Sequence, residues 1–364
     1  MPDRRGPTRV LIVDDSAIVR KLLGDALRGE PDIEVIGGAA DPYIARDMIV
    51  QHRPDLVTLD IEMPRMDGLT FLRKLMQHHP MPVIIISSVT KSGSAASIEA
   101  LRAGAVDVIP KPGGPTSVGQ VTDRLKERIR TLRASAGGLR LGPQAPVAAA
   151  AAPAAVPAVT TLPVLAGRKA SRLLLIGAST GGPQAIESLL SRLPADVPPT
   201  LIVQHMPATF TAAFAGRLNT VCPMRVLEAA GGEVLERGTV YLAPGDRHLL
   251  VERVGVQLRT VLKNGPPVHH QRPAVDVLFH AAARLTGVPM VAVLLTGMGA
   301  DGADGMVALR TAGAETIAED EHSCVVFGMP REAIARGGAG HVATLLRMPT
   351  LIYECFDALG KRAA

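Results

Sequence analysis

The chain is predicted to be an α/β protein of two doubly wound domains, and three observations carry that prediction. Short apolar runs of strand length alternate with segments of helical period, first over residues 8–130 and again over residues 169–361. The composition is aliphatic: hydrophobic residues make up 47% of the 364, aromatics only 2%, and Trp is absent, so the cores must be built from Val, Ile, Leu and Ala. Between the two alternating regions, from Gln144 to Ala158, nine of fifteen residues are Ala and three are Pro.

In the first region Arg9–Val13 reads as a strand. Ser16–Leu27 reads as a helix with apolar residues at Ile18, Val19, Leu22, Leu23 and Ala26. Strands follow at Ile33–Gly37, Leu56–Leu59, Val83–Ile86 and Val106–Ile109, with helices at Tyr43–Gln51, Leu69–Met76 and Thr116–Leu132. This succession predicts a five-stranded parallel sheet with helices on both faces. In the Ala-rich stretch the prolines at 146, 153 and 157 prevent a long helix, and no large side chain is available to pack, so residues 131–168 read as a linker.

In the second region the strand candidates are Leu173–Ile176, Thr200–Gln204, Val240–Ala243, Leu249–Glu252, Val291–Leu295 and Glu315–Ala318. Helices are expected at Pro183–Leu193, Thr209–Asn219, Ala274–Leu285, Gly302–Ala312 and Leu351–Leu359. The expected result is a mainly parallel, Rossmann-like sheet, with an antiparallel hairpin added from the strand-rich segment Val221–Leu262.

A net charge of +5 and a pI near 9.3 favour acidic partners. No stretch combines dense Lys/Arg with the aromatics of a nucleic-acid surface, and no helix-turn-helix with a basic face appears, so no nucleic acid is expected as a partner. The N-terminus (Asp3, Arg4, Arg5) lacks the apolar core of a signal peptide, and no apolar run approaches the roughly 20 residues that cross a bilayer. Cys222, Cys324 and Cys355 have no metal-ligand spacing and fit reduced thiols. The expectation is a cytoplasmic protein with no direct membrane insertion.

In a doubly wound sheet functional groups gather past the carboxyl ends of the strands. There the first domain places Asp14, Asp15, Asp60, Ser87 and Lys111. A lone Asp after a strand is usually a helix cap, but three carboxylates on one edge repel unless a cation sits among them. A hard, oxygen-seeking ion such as Mg²⁺ is implied, with Asp60 as a nucleophile towards phosphorus and Ser87 and Lys111 contacting phosphoryl oxygens. Over residues 8–130 the stretches V-D-D-S at 13–16, L-D-I-E-M-P-R-M-D-G at 59–68, I-I-I-S-S at 84–88 and K-P at 111–112 resemble the response-regulator receiver family. The resemblance implies phosphorylation of Asp60, Mg²⁺ binding by Asp14 and Asp15 with Asp60, a switch hydroxyl at Ser87 and a phosphate-pairing cation at Lys111. Val108 stands where many receivers carry an aromatic, so coupling through a rotating aromatic ring is not expected.

The second domain opens on Gly177-Ala178-Ser179-Thr180-Gly181-Gly182-Pro183, directly after a strand. It lacks both the G-x-G-x-x-G spacing of a dinucleotide site and the Gly-Lys-Ser/Thr of a phosphate loop. It does fit G-x-S-x-G, which holds a serine at the tip of a strand-to-helix turn. Such a serine needs a base, and the base an orienting carboxylate. His205 ends the second strand, and the glycine-rich loop Thr296–Gly302 carries Asp301 on the same edge. On spacing alone, His248, His269, His270, His280 and His322 remain alternatives for the base, and Asp246, Asp276 and Asp320 for the acid.

The stretches G-A-S-T-G-G, Q-H-M-P and L-L-T-G-M-G-A-D-G, with A-P-G-D-R-H at 243–248 and R-P-A-V-D-V-L-F at 272–279, resemble the chemotaxis CheB methylesterase family from residue 171 to about 345. The resemblance implies Ser179 as nucleophile, His205 as general base and acid, Asp301 as its orienting group and Met298 as an oxyanion-hole N–H, with Thr180 beside the nucleophile. It implies hydrolysis of glutamate methyl esters and deamidation of glutamines on methyl-accepting chemoreceptors, with no cofactor for the esterase chemistry. A chemotaxis histidine kinase is the implied phosphodonor, and a receiver that blocks the hydrolytic edge until Asp60 is phosphorylated is the expected regulation. The rival expectation is a regulator whose output domain only binds a partner or a nucleotide.

Overall fold

The computed structural model describes residues 6–88, 90–112, 115–135 and 172–362. The chain divides into two compact units between Ala145 and Pro146, inside the Ala/Pro-rich stretch.

The first unit carries strands β1 (Thr8–Val13), β2 (Ile33–Ala39), β3 (Leu56–Asp60), β4 (Val83–Ser87) and β5 (Asp107–Pro110). They form one sheet in the order β2-β1-β3-β4-β5, every neighbour parallel. Helices α1 (Ala17–Leu27), α2 (Pro42–His52), α3 (Gly68–His78), α4 (Lys91–Arg102) and α5 (Pro115–Ser135) connect the strands or follow the last of them. Side-chain caps start four of them: Ser16, Asp41, Asp67 and Thr90 each accept from a backbone N–H of the first turn. All residues of β3 and β4 are buried, as expected of central parallel strands.

Two features depart from the sequence expectation. Helix α4 was not foreseen, because its sequence K-S-G-S-A-A-S-I-E-A-L-R has small polar residues where an apolar stripe would show. It buries them all the same: Ser97 is fully buried and donates its hydroxyl back to the Gly93 carbonyl at 2.7 Å. Helix α5 continues to Ser135, held to β5 by the buried Arg128–Asp107 ion pair, so the first residues of the expected linker are helical. The remainder of that linker lies outside the described residues.

The second unit is built on β6 (Leu173–Ala178), β7 (Thr200–Gln204), β8 (Arg225–Glu228), β9 (Thr239–Leu242), β12 (Met290–Leu294), β13 (Glu315–Glu319) and β14 (His341–Ala343). These seven strands lie in the order β14-β13-β12-β6-β7-β9-β8, again all parallel. The remaining strands, β10 (His248–Val254) and β11 (Gln257–Lys263), pair antiparallel. This hairpin forms a two-stranded sheet of its own and does not extend the parallel one. Helices α6 (Gly182–Leu190), α7 (Ala208–Val221), α8 (Val275–Ala283), α9 (Ala303–Thr311), α10 (Met329–Ala335) and α11 (Met348–Arg362) complete the unit.

Strand β6 is central and wholly buried; each such aliphatic side chain contributes about 1.5–3 kcal/mol on transfer from water. From β6 the chain runs outward through β7 to β8 and β9, then crosses back to β12 on the other side. That reversal makes the carboxyl ends of β6 and β12 a topological switch point, where crevices form in open α/β sheets.

Candidate active site

Ser179 immediately follows β6, and its backbone geometry is imposed from three directions. Its N–H donates to the Thr296 carbonyl at 3.0 Å, and its carbonyl accepts from Gly182 N–H and from the Gln204 side-chain amide, each at 2.8 Å. Gly181 then takes φ = +79°, and a Cβ there would lie 2.6 Å from Val325 Cβ, so only glycine suits the turn. Helix α6 begins at once, with its proline in the first turn where no N–H is missed.

His205 follows β7 as Ser179 follows β6. Ala178 pairs with Gln204 across the two strands, and His205 N–H donates to the Ala178 carbonyl at 3.1 Å, so Ser179 and His205 are neighbours on one edge. Gln204 braces both, its amide also reaching the His205 carbonyl at 3.2 Å. Asp301 comes from the loop after β12, and its Oδ2 lies 2.7 Å from His205 Nε2. The first two N–H groups of α8 fix that carboxylate: Val275 donates to Oδ2 at 2.6 Å and Asp276 to Oδ1 at 2.9 Å. Burial opposes the charge on Asp301, but the bond to His205 and the two N–H donors outweigh it, and its pKa lies below the ordinary carboxylate value.

An ionised Asp301 at Nε2 requires that nitrogen to carry the proton, leaving the lone pair on Nδ1. Among the described residues, neither Ser179 Oγ nor His205 Nδ1 has a hydrogen-bond partner, although both atoms are buried. Buried polar atoms without partners are rare and mark a place where an incoming group or a small movement completes the set.

Thr180 is buried, and its carbonyl accepts the Thr296 hydroxyl at 2.9 Å. Met298 lies on the partly exposed rim of the β12 loop, which is pinned by Gly297 N–H to the Val326 carbonyl at 3.0 Å. A Cβ on Gly297 would lie 2.7 Å from Ser179 Cβ, so this loop presses on the serine. Five of the alternatives, two histidines and three acids, are engaged elsewhere. His248 uses both ring nitrogens, on the Pro266 carbonyl and Ala274 N–H; His269 pairs with Asp276, Asp246 with Arg272, and Asp320 accepts from Ser323. Gln204 and Thr296 were not singled out by sequence reasoning, although each occupies the end of an apolar strand run, the position that flagged His205.

In the first unit Asp14 and Asp60 are buried past β1 and at the end of β3, and Asp15 is exposed beside them. Carboxylate oxygens of all three lie within 4.8 Å of one another. Lys111 Nζ reaches Asp60 Oδ2 at 2.7 Å and Asp14 Oδ2 at 3.0 Å. One ammonium among three carboxylates leaves net negative charge in an all-oxygen donor set, which fits a hard divalent cation. Burial raises the Asp60 pKa to about 6 against the opposing influence of Lys111. Ser87 is buried at the end of β4, its hydroxyl 3.3 Å from the Gly93 carbonyl, and Lys111 N–H donates to the Ser87 carbonyl at 2.7 Å. Val108, under this edge, is buried. Two further donor groups, His269/Asp276/Asp304 and Glu315/His341/Cys355, already have cations on a carboxylate, Arg336 on Asp304 and Arg362 on Glu315.

Residues 174–352 match the CheB methylesterase family and residues 10–122 the response regulator receiver domain family. A protein-glutamate methylesterase/protein-glutamine glutaminase of Syntrophus aciditrophicus is 48% identical over 93% of this chain and 96% of its own length. Proteins of the same name from Bradyrhizobium diazoefficiens, in its group 3 operon, and from Methylobacillus flagellatus are each 48% identical. They cover 97% and 98% of this chain respectively, and 98% of their own lengths.

Proposed function

The chain belongs to the CheB methylesterase family, and from that membership we propose that Ser179, His205 and Asp301 hydrolyse glutamate methyl esters, and glutamine amides, on chemoreceptors. The observation that carries the assignment is the pair of buried, unpartnered atoms, Ser179 Oγ and His205 Nδ1, beside an Nε2 already held by Asp301.

In this reading Ser179 Oγ attacks the ester carbonyl and His205 Nδ1 takes its proton, while Asp301 steadies the imidazolium through Nε2. The Met298 N–H is assigned to the developing oxyanion, and such donors supply a few kcal/mol each (about 3–4 kcal/mol). The proton on Nδ1 then passes to the methoxide, which leaves as methanol. Water, deprotonated by the same nitrogen, attacks the acyl carbonyl, and that proton returns to Ser179 Oγ as free glutamate leaves. With a glutamine side chain the leaving group is ammonia and the product is again glutamate. No cofactor is needed for either reaction.

Residues 8–130 form the receiver and residues 169–361 the catalytic domain in this assignment, joined through 131–168 with the helical overlap noted above. The receiver implies regulation by phosphorylation. We assign the phosphoryl group to Asp60, its charge partner to Lys111 and the switch hydroxyl to Ser87. Asp14, Asp15 and Asp60 would hold Mg²⁺, which neutralises phosphoryl charge. The phosphodonor is a chemotaxis histidine kinase. Among the described residues no helix is long and apolar enough to cross a membrane.

Methanol release from membranes bearing methylated receptors, with and without a phosphodonor, tests the whole reading. Release by the native chain and none by Ser179→Ala with its fold intact is the expected result. No release by the native chain would favour an output domain that only binds.

A further inference from the structure

Thr296 is the residue through which the β12 end controls the serine turn. Its carbonyl accepts Ser179 N–H at 3.0 Å, and its hydroxyl donates to the Thr180 carbonyl at 2.9 Å while accepting Val326 N–H at 2.9 Å. Its remaining polar group, the backbone N–H, donates to Glu319 Oε2 at 2.8 Å. Thr296 is thus held at four points, and two of them set the backbone of Ser179 and its neighbour.

Glu319 is an expensive residue to put there. It ends β13, is fully buried, and its second oxygen, Oε1, has no hydrogen-bond partner. The groups that face the carboxyl are the Ser323 hydroxyl, the Cys324 thiol and the Asp320 carboxylate, and the last carries the same sign as Glu319. A buried carboxyl without a cation is destabilising relative to an apolar side chain of similar volume. Stability alone therefore does not account for it. What the carboxyl supplies is an acceptor for Thr296 N–H, which a hydrocarbon in the same space cannot supply.

We propose that Glu319 is a positioning residue for ester hydrolysis: through Thr296 it holds the Ser179 turn in register with His205. It touches no reacting atom. Its effect is on the placement of Ser179 Oγ, and misplacement of a nucleophile by about 1 Å is enough to cost on the order of a hundredfold in rate. The proposal rests on the reading of Ser179 as nucleophile.

The test compares the full chain with Glu319→Leu, Glu319→Gln and Glu319→Asp, using Ser179→Ala as the reference, in methanol release from methylated receptor membranes. Glu319→Leu removes the acceptor, and kcat should fall at least about tenfold with KM within about twofold. Glu319→Gln keeps an oxygen where Oε2 stands, and kcat should stay within about twofold of the native value. Should the Leu variant fail to fold, Glu319→Asp serves in its place, because it withdraws the acceptor by one methylene. Its kcat should drop at least about threefold with KM unchanged. A folded Leu or Asp variant with native kcat, or a Gln variant as impaired as the Leu variant, overturns the proposal. Full activity in Ser179→Ala would overturn the nucleophile assignment and this proposal together. An inert Ser179→Ala beside a fully active Glu319→Leu would overturn only the role of Glu319.

Discussion

Asp301 holds His205 by Nε2, at 2.7 Å, so the nitrogen left to serve Ser179 is Nδ1. In the familiar serine-protease arrangement the two nitrogens have the opposite duties. The inversion follows from where the residues sit: His205 stands beside Ser179 on adjacent strands, and Asp301 reaches it from the loop after β12. A base is defined by which nitrogen keeps a lone pair, and that is decided here by the bond from His205 together with the two N–H donors from α8, which keep Asp301 ionised.

Asp301→Asn should therefore be severe. Both carboxylate oxygens face backbone N–H donors, so an amide NH₂ in either orientation meets a donor where an acceptor is required. We expect kcat to fall by about 10²–10⁴-fold, with KM changed much less. Steady-state methanol release, with circular dichroism to verify the fold, checks this; a loss of only about threefold would remove Asp301 from the triad.

Ser179→Ala should abolish hydrolysis without harming the protein. The hydroxyl is buried with no hydrogen bond, so its removal deletes a desolvated polar atom and no contact partner. Thermal melting should give a Tm equal to or above that of the native chain, while methanol release falls at least about a thousandfold. A clear drop in Tm would show that the hydroxyl has a structural partner after all.

Gly181→Ala tests the turn itself. The left-handed φ of +79° and a Cβ placed 2.6 Å from Val325 Cβ make alanine strained on two counts. The expected loss of stability is about 1–3 kcal/mol in denaturant unfolding, with reduced activity in the folded fraction. Unchanged stability would mean that the loop around Val325 yields freely.

Glu319 makes stability depend on pH in a definite direction. Burial raises its pKa from 4.5 to about 7. A raised folded-state pKa means that stability is fully present below 4.5 and is lost as the pH climbs through about 7, where the buried carboxyl must ionise. Glu319→Gln has no proton to lose, so the variant's Tm minus the native Tm should increase between pH 5 and pH 8 in paired melts. A difference independent of pH would show that Glu319 is not titrating in this window.

Asp60→Asn should prevent phosphoryl transfer from a small acyl phosphate in the presence of Mg²⁺, while the native chain incorporates about one phosphoryl group per molecule. Chelation of divalent cations should have the same effect on the native chain, since Lys111 alone would be left to offset three carboxylates and the incoming phosphoryl charge. Phosphotransfer measured by mass shows either outcome directly. Incorporation that survives Asp60→Asn places the acceptor elsewhere.

Most of the strand framework could be read in advance, because most strands are short apolar runs and the functional groups stand where those runs end, with glycines marking the turns at Ser179 and Asp301. Asp14, Asp60, Ser179 and His205 were all placed by that local logic. Helix α4 was not, since Ser94 and Ser97 take up part of its buried face and leave only Ile98 and Leu101 as large apolar residues, too short a stripe to show a helical period. The hairpin was legible as a pair of strands, but whether it joined the main sheet depended on which edge was open to it. Glu319 carried no mark at all: an acid at the end of a strand is ordinary, and only its burial against the β12 end makes it unusual.

The sequence by itself determined which residues stand at strand ends, and hence which hydroxyl, imidazole and carboxylates could meet, because period and turn chemistry are properties of neighbouring residues. Only the tertiary structure decided among the competing histidines and acids. His248 is consumed by a carbonyl and an N–H, His269 is drawn to Asp276, and His205 alone is set beside both Ser179 and Asp301. The same holds for the bond from Thr296 to Glu319, whose partners are 23 residues apart. Such contacts exist only after β12 and β13 have crossed over and paired, and pairing in register is a property of the sheet and not of either strand.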